Sequence, residues 1–267
     1  MVLTERVLMG RRIAPLTVLE RARLEGAIRE VRMVSARSLL ARKGEPLEHS
    51  TLLIKGFLSR HVDDRRGHRQ FVSLHVAGDL VDLHAYPMRQ LDHDIAALSD
   101  AEVGIMSHTA IKALVEQDAE LMRKLWFATL LDAAMHREWI FRLGRLDAIG
   151  RVCHFLAETG ARMQAVGEGE LTRYPLPLTQ ADIGEACGVT SVHMSRVLKA
   201  LRDGGLCVFK DGWVVIQDHA ALVRRGQFDP SYLYLTDEPA PVPSGGSLAD
   251  DHRQAWPPQA VNRHNLG

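Results

Sequence analysis

The chain has 267 residues, of which 46% are hydrophobic and 25% are charged. This length and composition suit a globular protein of two modest domains and exclude an intrinsically disordered chain. The 33 basic residues balance 33 acidic residues, which excludes the uniformly basic surface of many nucleic-acid binders, so any attraction to phosphate must come from a local cluster.

Cysteine usage and hydropathy bear on location. The three cysteines, Cys153, Cys187 and Cys207, form neither a disulfide framework nor a close CxxC pair, which fits a reducing cytoplasm. No apolar run approaches the roughly 20 residues that a helix needs to cross a bilayer, and residues 1–16 lack a signal-peptide core. We therefore expect a cytoplasmic protein without a membrane partner.

The first 117 residues predict one short helix followed by strands. Thr17, with Glu20 three residues later, forms a capping-box pattern that begins an amphipathic helix running to about Arg29. Short β-prone runs follow, namely Leu52–Ile54, Phe57–Val62, Phe71–Val76, Ile95–Leu98 and Glu102–Met106. Short strands with glycine turns between them indicate an antiparallel β-roll or jelly-roll barrel, so the fold class is α+β.

Residues 118–143 contain neither Pro nor Gly, which predicts one long helix. One apolar stripe holds the residues that we assign to a dimer contact, Leu121, Leu125, Ala128, Met135 and Trp139. A second apolar stripe holds Trp126, Phe127, Leu130, Ala134 and Ile140. Because two stripes leave the helix too apolar to face solvent alone, we expect it to pack on the roll with one side and on a second copy with another. The alternative is an internal core helix.

Residues 178–218 are the most informative part of the chain. Thr179 begins a capping-box pattern for a helix over Gln180–Cys187, and Gly188 ends that helix by taking the left-handed conformation. Thr190 or Ser191 then caps a second helix, which runs to about residue 202. Two helices joined by so short a turn predict a helix-turn-helix.

A β-hairpin is predicted after the second helix. Gly204-Gly205 stops the helix, and Leu206–Phe209 and Trp213–Ile216 flank an Asp211-Gly212 turn, which is a strong hairpin signal. Helix, turn, helix and hairpin in this order make a winged helix-turn-helix, whose polar and cationic second helix suits a major groove of DNA. The alternative is a small α+β unit with no nucleic-acid role.

The remaining segments complete the predicted organisation. A helix over about Asp147–Arg162 and a connector over Ala165–Pro177 lead into the helix-turn-helix, whereas Glu238–Gly267 is rich in Pro and Gly and lacks an apolar stripe. The predicted units are a roll with its N-terminal helix (1–117), a dimerisation helix (118–146), a DNA-binding domain (147–225) and a flexible tail (226–267).

The winged module resembles the DNA-binding domain of the CRP/FNR family of bacterial transcription regulators, named for the cyclic-AMP receptor protein and the fumarate–nitrate-reduction regulator. Upstream, Lys43-Gly44-Glu45-Pro46, Ile54-Lys55-Gly56 and Val76-Ala77-Gly78-Asp79 resemble the fixed glycine turns of the family's β-roll. The resemblance covers about Ile28–Leu222. It implies a sensor-like roll and a homodimer that binds a near-palindromic double-stranded DNA site, with RNA polymerase as a partner.

The resemblance also assigns the DNA contacts. Arg196 aligns with the family's guanine-reading arginine, whereas Val192 stands where many members have a glutamate. The predicted base-reading residues are Ser191, Val192, His193, Ser195 and Arg196, and the predicted phosphate contacts are Thr179, Gln180, Thr190 and Lys199. Because Val192 replaces that glutamate, one alternative is an interaction module that has lost DNA binding. The cationic side chains of Arg196 and Lys199 argue against this alternative.

No cofactor is predicted. Asp82-Leu83 and the run Leu91–Asp94 stand where cyclic-nucleotide binders have Gly-Glu and Arg-Ser/Thr, so cyclic AMP is not expected. No cysteine precedes Cys153, which excludes a four-cysteine iron–sulfur cluster within one chain. Haem and other small effectors stay open as alternatives; the histidines in or near the roll are His61, His75, His84, His93 and His108.

Enzyme chemistry is not expected either. A cupin-like metal enzyme built on the roll is the remote alternative, but the His-x-His pattern that would begin its metal site is missing, so no metal ligands are predicted. Cys187 has two interpretations, an oxidisable thiol that controls DNA binding and a small core residue. The second is favoured because a helix-turn-helix normally needs a small buried residue there.

Overall fold

The N-terminal helix of the computed structural model, which describes residues 2–236, is α1 (Val18–Gly26). Its predicted capping box is confirmed, since Glu20 N donates to Thr17 Oγ1 at 3.2 Å and Thr17 N donates to a Glu20 carboxylate oxygen at 2.6 Å. The predicted extension to Arg29 is wrong. Ile28 already begins a strand and pairs with Met106, so sheet formation overrides local helical periodicity.

Two antiparallel sheets form the roll. The strands are β1 (Ile28–Val34), β2 (Leu39–Ala41), β3 (His49–Lys55), β4 (Leu58–Asp63), β5 (Arg69–His75), β6 (Asp94–Ala97) and β7 (Ala101–Ser107). One sheet has the order β1-β7-β3 and the other has the order β2-β6-β4-β5. The predicted roll and all five predicted strands are confirmed, whereas β1 and β2 were missed.

Two predicted glycine turns are required by close backbone approach. Gly56 and Gly78 have φ of +89° and +92°. A Cβ at Gly56 would lie 2.4 Å from the Asp100 carbonyl oxygen, and one at Gly78 would lie 2.3 Å from the Arg6 carbonyl oxygen. Only glycine fits both positions, because a side chain would clash with backbone as well as strain φ.

Four helices follow within or after the roll, namely α2 (Ala85–Met88), α3 (His108–Gln117), α4 (Ala119–Arg145) and α5 (Ala148–Ala165). The predicted single long helix is confirmed as α4. Asp118 begins it by accepting a hydrogen bond from Leu121 N at 3.0 Å.

The structure corrects the assignment of residues on α4 to a dimer contact. Leu121, Leu125, Met135 and Trp139 are buried within their own chain, and Ala128 is partly buried. Met135 and Trp139 pack against α5 and the outer face of the roll, and Leu121 and Leu125 belong to a second core cluster. The outward stripe is instead Met122, Trp126, Leu130, Ile140 and Phe141. Periodicity showed two apolar faces but not which one the chain itself covers.

The predicted DNA-binding domain has the expected helix-turn-helix and hairpin, whereas its first strand and its last helix were not predicted. Its elements are β8 (Arg173–Pro175), α6 (Gln180–Cys187), α7 (Ser191–Asp203), β9 (Cys207–Lys210), β10 (Trp213–Ile216), α8 (His219–Gly226) and a 3-10 helix (Pro230–Leu233). The three strands form a sheet of order β8-β10-β9. Asp211 and Gly212, with φ of +52° and +75°, make the predicted hairpin turn.

The predicted flexible tail begins too early. Phe228 and Leu233 are buried, and the Tyr234 ring lies edge-on to Phe127 of α4 with centroids 5.8 Å apart. Arg11 also donates to the Leu233 carbonyl oxygen at 2.6 Å. These contacts hold residues 227–236 against the body of the protein, while Glu238–Gly267 lies outside the described residues.

The DNA-binding domain packs directly on the roll. One hydrophobic cluster joins Phe57, Phe71 and Leu74 of the roll to Trp139 of α4, Phe155 of α5 and Cys187 of α6. Polar contacts flank it: Gln70 Nε2 donates to the Glu185 carbonyl oxygen at 2.7 Å, and Arg37 binds the Asp182 carboxylate through two nitrogens at 2.5 and 2.8 Å. Apolar and ionic contacts therefore hold α6 against the roll.

Candidate nucleic-acid interface

The helix α7 is amphipathic, and its inner face fixes its orientation. Met194, Val197 and Leu201 are buried against the domain core. Thr190 caps the helix, because its hydroxyl accepts from His193 N at 3.4 Å. The 13 residues of α7 span about 20 Å, a length that lies within a major groove.

The outer face of α7 brings the predicted base-reading residues together. These residues, Ser191, Val192, His193, Ser195 and Arg196, are all exposed, and Val192 is 68% exposed. Across residues 2–236, Arg196 makes no hydrogen bond or ion pair. Its guanidinium is thus available for the two parallel hydrogen bonds that read guanine.

The predicted phosphate contacts surround this face. Thr179 and Thr190 are exposed at the N-termini of α6 and α7, where backbone N–H groups and the helix dipole favour anions. Gln180 accepts from Ser195 Oγ at 2.9 Å, which ties the two helices together. Lys199 forms an exposed ion pair with Asp203 and must exchange that partner to bind a phosphate.

The turn between the helices depends on small residues. Gly188 takes the left-handed conformation at φ +60°, and a Cβ at Gly184 would lie 2.5 Å from the Val189 carbonyl oxygen.

Cys187 is fully buried, and burial raises the pKa of its thiol to about 11. A protonated, buried thiol reacts slowly, which supports the interpretation of Cys187 as a core residue.

Sequence reasoning missed an ion pair that joins the roll to α4. Arg60 is buried, its Nη1 lies 2.6 Å from Asp132 Oδ2 of α4, and its Nε donates to the Val81 carbonyl oxygen at 2.8 Å. Asp82 accepts from Thr51 Oγ1 at 3.0 Å, and burial raises the pKa of its carboxyl to about 6. An arginine within an apolar strand was the available signal, but its partner lies 72 residues away.

Most histidines of the roll contact other side chains of the protein. His75 is buried beside Asp79, with Nδ1 and Oδ2 3.3 Å apart, and burial lowers the pKa of its imidazole to about 4. The rings of His84 and His93 lie 5.4 Å apart. His61 differs, because neither of its buried ring nitrogens has a hydrogen-bond partner among the described residues.

Comparison with known proteins agrees with this geometry. The model of the Crp-like helix-turn-helix domain family matches residues 150–225. The chain is 28% identical to the transcriptional activator protein FnrL of Cereibacter sphaeroides, over 70% of this chain and 76% of that protein. It is 23% identical to the anaerobic regulatory protein of Pasteurella multocida, over 75% of this chain and 73% of that protein.

Solved structures share the fold. FixK2 from Bradyrhizobium japonicum superposes with a TM-score of 0.66 at 23% identity, covering 73% of this chain and 96% of that one. The global regulator CLP of Xanthomonas campestris gives a TM-score of 0.60 at 16% identity, covering 76% of this chain and all of that one. Among the described residues, the helices include none with the length and apolarity to cross a membrane.

The fold and the exposed face of α7 define a winged helix-turn-helix DNA-binding protein. The comparisons confirm the resemblance drawn from the sequence: residues 150–225 are a Crp-like helix-turn-helix domain, and the chain is similar to transcription regulators of the CRP/FNR type.

Proposed function

We propose that this regulator acts in the cytoplasm as a homodimer on a near-palindromic DNA site, independently of cyclic AMP. The observation that carries the proposal is the outer face of α7, where Arg196 is exposed and unpaired next to Ser191, Val192 and His193. In a dimer, two such helices enter successive major grooves about one helical turn apart. RNA polymerase is the proposed protein partner when the bound site is a promoter.

The outward stripe of α4 supports dimerisation. Trp126 and Ile140 are 58% and 72% exposed, and Met122, Leu130 and Phe141 continue the same face. A row of large apolar side chains on one helix is the kind of patch that monomeric proteins rarely leave in water. Packing α4 against its copy covers this stripe and sets the spacing of the two DNA-binding domains.

Independence from cyclic AMP is supported by the interior of the roll. Arg60 is engaged by Asp132 and the Val81 carbonyl, and Asp82 is engaged by Thr51. Asp92 is an exposed carboxylate paired with His93 at 2.7 Å, which opposes binding of a cyclic phosphate. A haem or another small effector remains the alternative within the same class of regulator.

The test is genome-wide mapping of DNA bound by the full chain, combined with mass spectrometry of co-purifying molecules. A two-fold symmetric motif, lost in an Arg196→Ala strain, is the expected result. An asymmetric motif, or the same motif in both strains, would contradict the proposal. Stoichiometric haem or nucleotide in the purified protein would instead support an effector-controlled member.

A further inference from the structure

Three potential ligand groups converge on the outer face of the four-stranded sheet. His61 and Asp63 lie two residues apart on β4 and so share a face, and Asp94 lies directly opposite His61 on β6. One nitrogen or oxygen from each residue lies within 4.8 Å of the others. His61 Nε2 and Asp94 Oδ2 are 3.6 Å apart.

The imidazole of His61 is buried, yet it has no hydrogen-bond partner among the described residues. The side chain is 1% exposed, and neither Nδ1 nor Nε2 makes a hydrogen bond within residues 2–236. A buried polar group without a partner costs about 1–3 kcal/mol, so an unpaired imidazole calls for an explanation. A metal ion bound to an imidazole nitrogen would supply the missing partner.

Neighbouring groups orient both carboxylates. Lys43 N donates to Asp94 Oδ1 at 2.7 Å, which leaves Oδ2 for the cluster. Arg69 Nε donates to Asp63 Oδ1 at 3.1 Å in the same way. Such outer contacts are typical of metal sites, where they hold ligands in position. Arg69 balances only one of the two carboxylates, so negative charge remains for a cation.

We propose that His61, Asp63 and Asp94 bind one divalent transition-metal ion, with water completing the coordination. Tetrahedral Zn²⁺ with bonds of about 2.1 Å places its ligand atoms about 3.4 Å apart, close to the separation of His61 Nε2 and Asp94 Oδ2. Asp63 is partly exposed and can rotate to close the remaining gap. One imidazole with two carboxylates favours Zn²⁺, Mn²⁺ or Fe²⁺ over Ca²⁺ and Mg²⁺.

The position of the cluster connects it to the DNA-binding domain. Gln70 of β5 pairs with Val62 of β4, the neighbour of Asp63, and its Nε2 donates to the Glu185 carbonyl oxygen of α6 at 2.7 Å. A metal ion that holds β4 and β6 together should therefore stabilise the contact between the roll and α6.

The test is titration of metal-stripped, tag-free full chain with Zn²⁺ by calorimetry, with Co²⁺ as a spectroscopic probe of nitrogen and oxygen coordination. We expect one saturable site per chain, a higher melting temperature with Zn²⁺, and no comparable effect of Ca²⁺. Asp63→Asn and Asp94→Asn should each weaken Zn²⁺ binding at least about tenfold.

Asp92→Asn is the matched control, because Asp92 is an exposed aspartate two residues from Asp94 and outside the cluster. It should bind Zn²⁺ as the parent protein does. Circular dichroism of the metal-free variants separates loss of ligand from loss of fold. The proposal is overturned if the parent protein shows no saturable site, or if folded Asp63→Asn and Asp94→Asn proteins bind as the parent does.

Discussion

At the scale of single residues, Arg196 is the side chain on which we propose that sequence-specific DNA recognition depends. Its exposed, unpaired guanidinium can form two hydrogen bonds with guanine, worth about 1–3 kcal/mol of discrimination in each half-site. Arg196→Ala should therefore lose preference for the mapped site. Competition binding of that site against scrambled DNA at fixed salt measures this directly.

Lys199 provides the comparison for Arg196. Because it contacts phosphate in the proposed complex and must first leave Asp203, Lys199→Ala should weaken mapped and scrambled DNA by similar factors and reduce the salt dependence. If Arg196→Ala lowers affinity for both DNAs equally while Lys199→Ala changes preference, the two roles are assigned the wrong way round.

Asp82 is expected to make stability depend on pH. Burial raises the pKa of its carboxyl from 3.8 to about 6. A group whose pKa is raised on folding contributes stability that is complete below the unfolded pKa and is lost as pH rises through the folded pKa. Asp82→Asn removes the charge and keeps an oxygen that accepts from Thr51. At pH 8 it should therefore be more stable than the parent protein, by up to about 3 kcal/mol.

Urea unfolding of both proteins at pH 4 and pH 8 checks this prediction. The stability of the Asp82→Asn protein relative to the parent should rise with pH between these values. Comparing the two proteins cancels other titrating groups, such as His75, whose buried imidazole destabilises the folded state as pH falls towards about 4. A constant difference across pH would show that Asp82 titrates normally.

At the scale of elements, the proposed dimer depends on the outward stripe of α4. Leu130→Glu should place two like charges opposite each other across the dimer axis and partly remove them from water. Both the repulsion and the desolvation disfavour association. We expect a monomer by analytical ultracentrifugation. DNA affinity should fall as well, because separate monomers lack the high effective concentration of linked half-sites.

Two variants make the α4 experiment specific. Val18→Glu places the same charge on an exposed apolar position of α1 and should leave the dimer intact. Met135→Glu buries a charge in the core of its own chain, so it should lower thermal stability rather than only dissociate the dimer. If the Leu130→Glu protein is dimeric and binds DNA with native affinity, the dimer interface lies on a different surface.

Local signals predicted the elements that local chemistry determines. The capping boxes at Thr17 and Thr179, the left-handed Gly188 and the Asp211-Gly212 turn each depend on a few neighbouring residues, and the structure has all of them. Elements defined by distant partners were missed. The strand β1 is mostly exposed and is held by pairing with β7, which no pattern within residues 28–34 reveals.

At the scale of the whole molecule, what the sequence could not show is which distant residues meet. The exposed face of α7 could be predicted because its five proposed base-reading residues lie within residues 191–196 of one helix. The contacting residues are far apart in the sequence: 72 residues for Arg60 and Asp132, and 145 for Arg37 and Asp182. His61 and Asp94 are 33 residues apart. Single-sequence periodicity does not contain such pairings.

The contacts that Arg60 and Asp82 already make predict the response to cyclic AMP. Because Arg60 already binds Asp132 and Asp82 already binds Thr51, millimolar cyclic AMP should leave the melting temperature of the full chain unchanged. Differential scanning fluorimetry provides the measurement, with a cyclic-nucleotide-dependent regulator as positive control. A saturable rise at micromolar nucleotide would mean that the ion pair opens for the ligand.

Docking of the DNA-binding domain on the roll should depend on Arg37. This residue, between β1 and β2, binds the Asp182 carboxylate through two nitrogens, while Asp182 also completes the capping box of α6. Arg37→Gln removes the ionic contact and leaves the cap. Because Arg37 is half exposed, we expect only a small loss of global stability, but faster amide hydrogen exchange in α6 and β5.

The control is Arg32→Gln, which breaks the exposed pair of Arg32 with Glu30 on β1, away from the domain contact. It should leave exchange in α6 unchanged. If amide hydrogen exchange becomes faster only in α6 and β5, and only in Arg37→Gln, the Arg37–Asp182 ion pair holds the two domains together. Equal amide exchange in the two variants would mean that the apolar cluster around Phe71 and Cys187, and not the ion pair, holds the domains together.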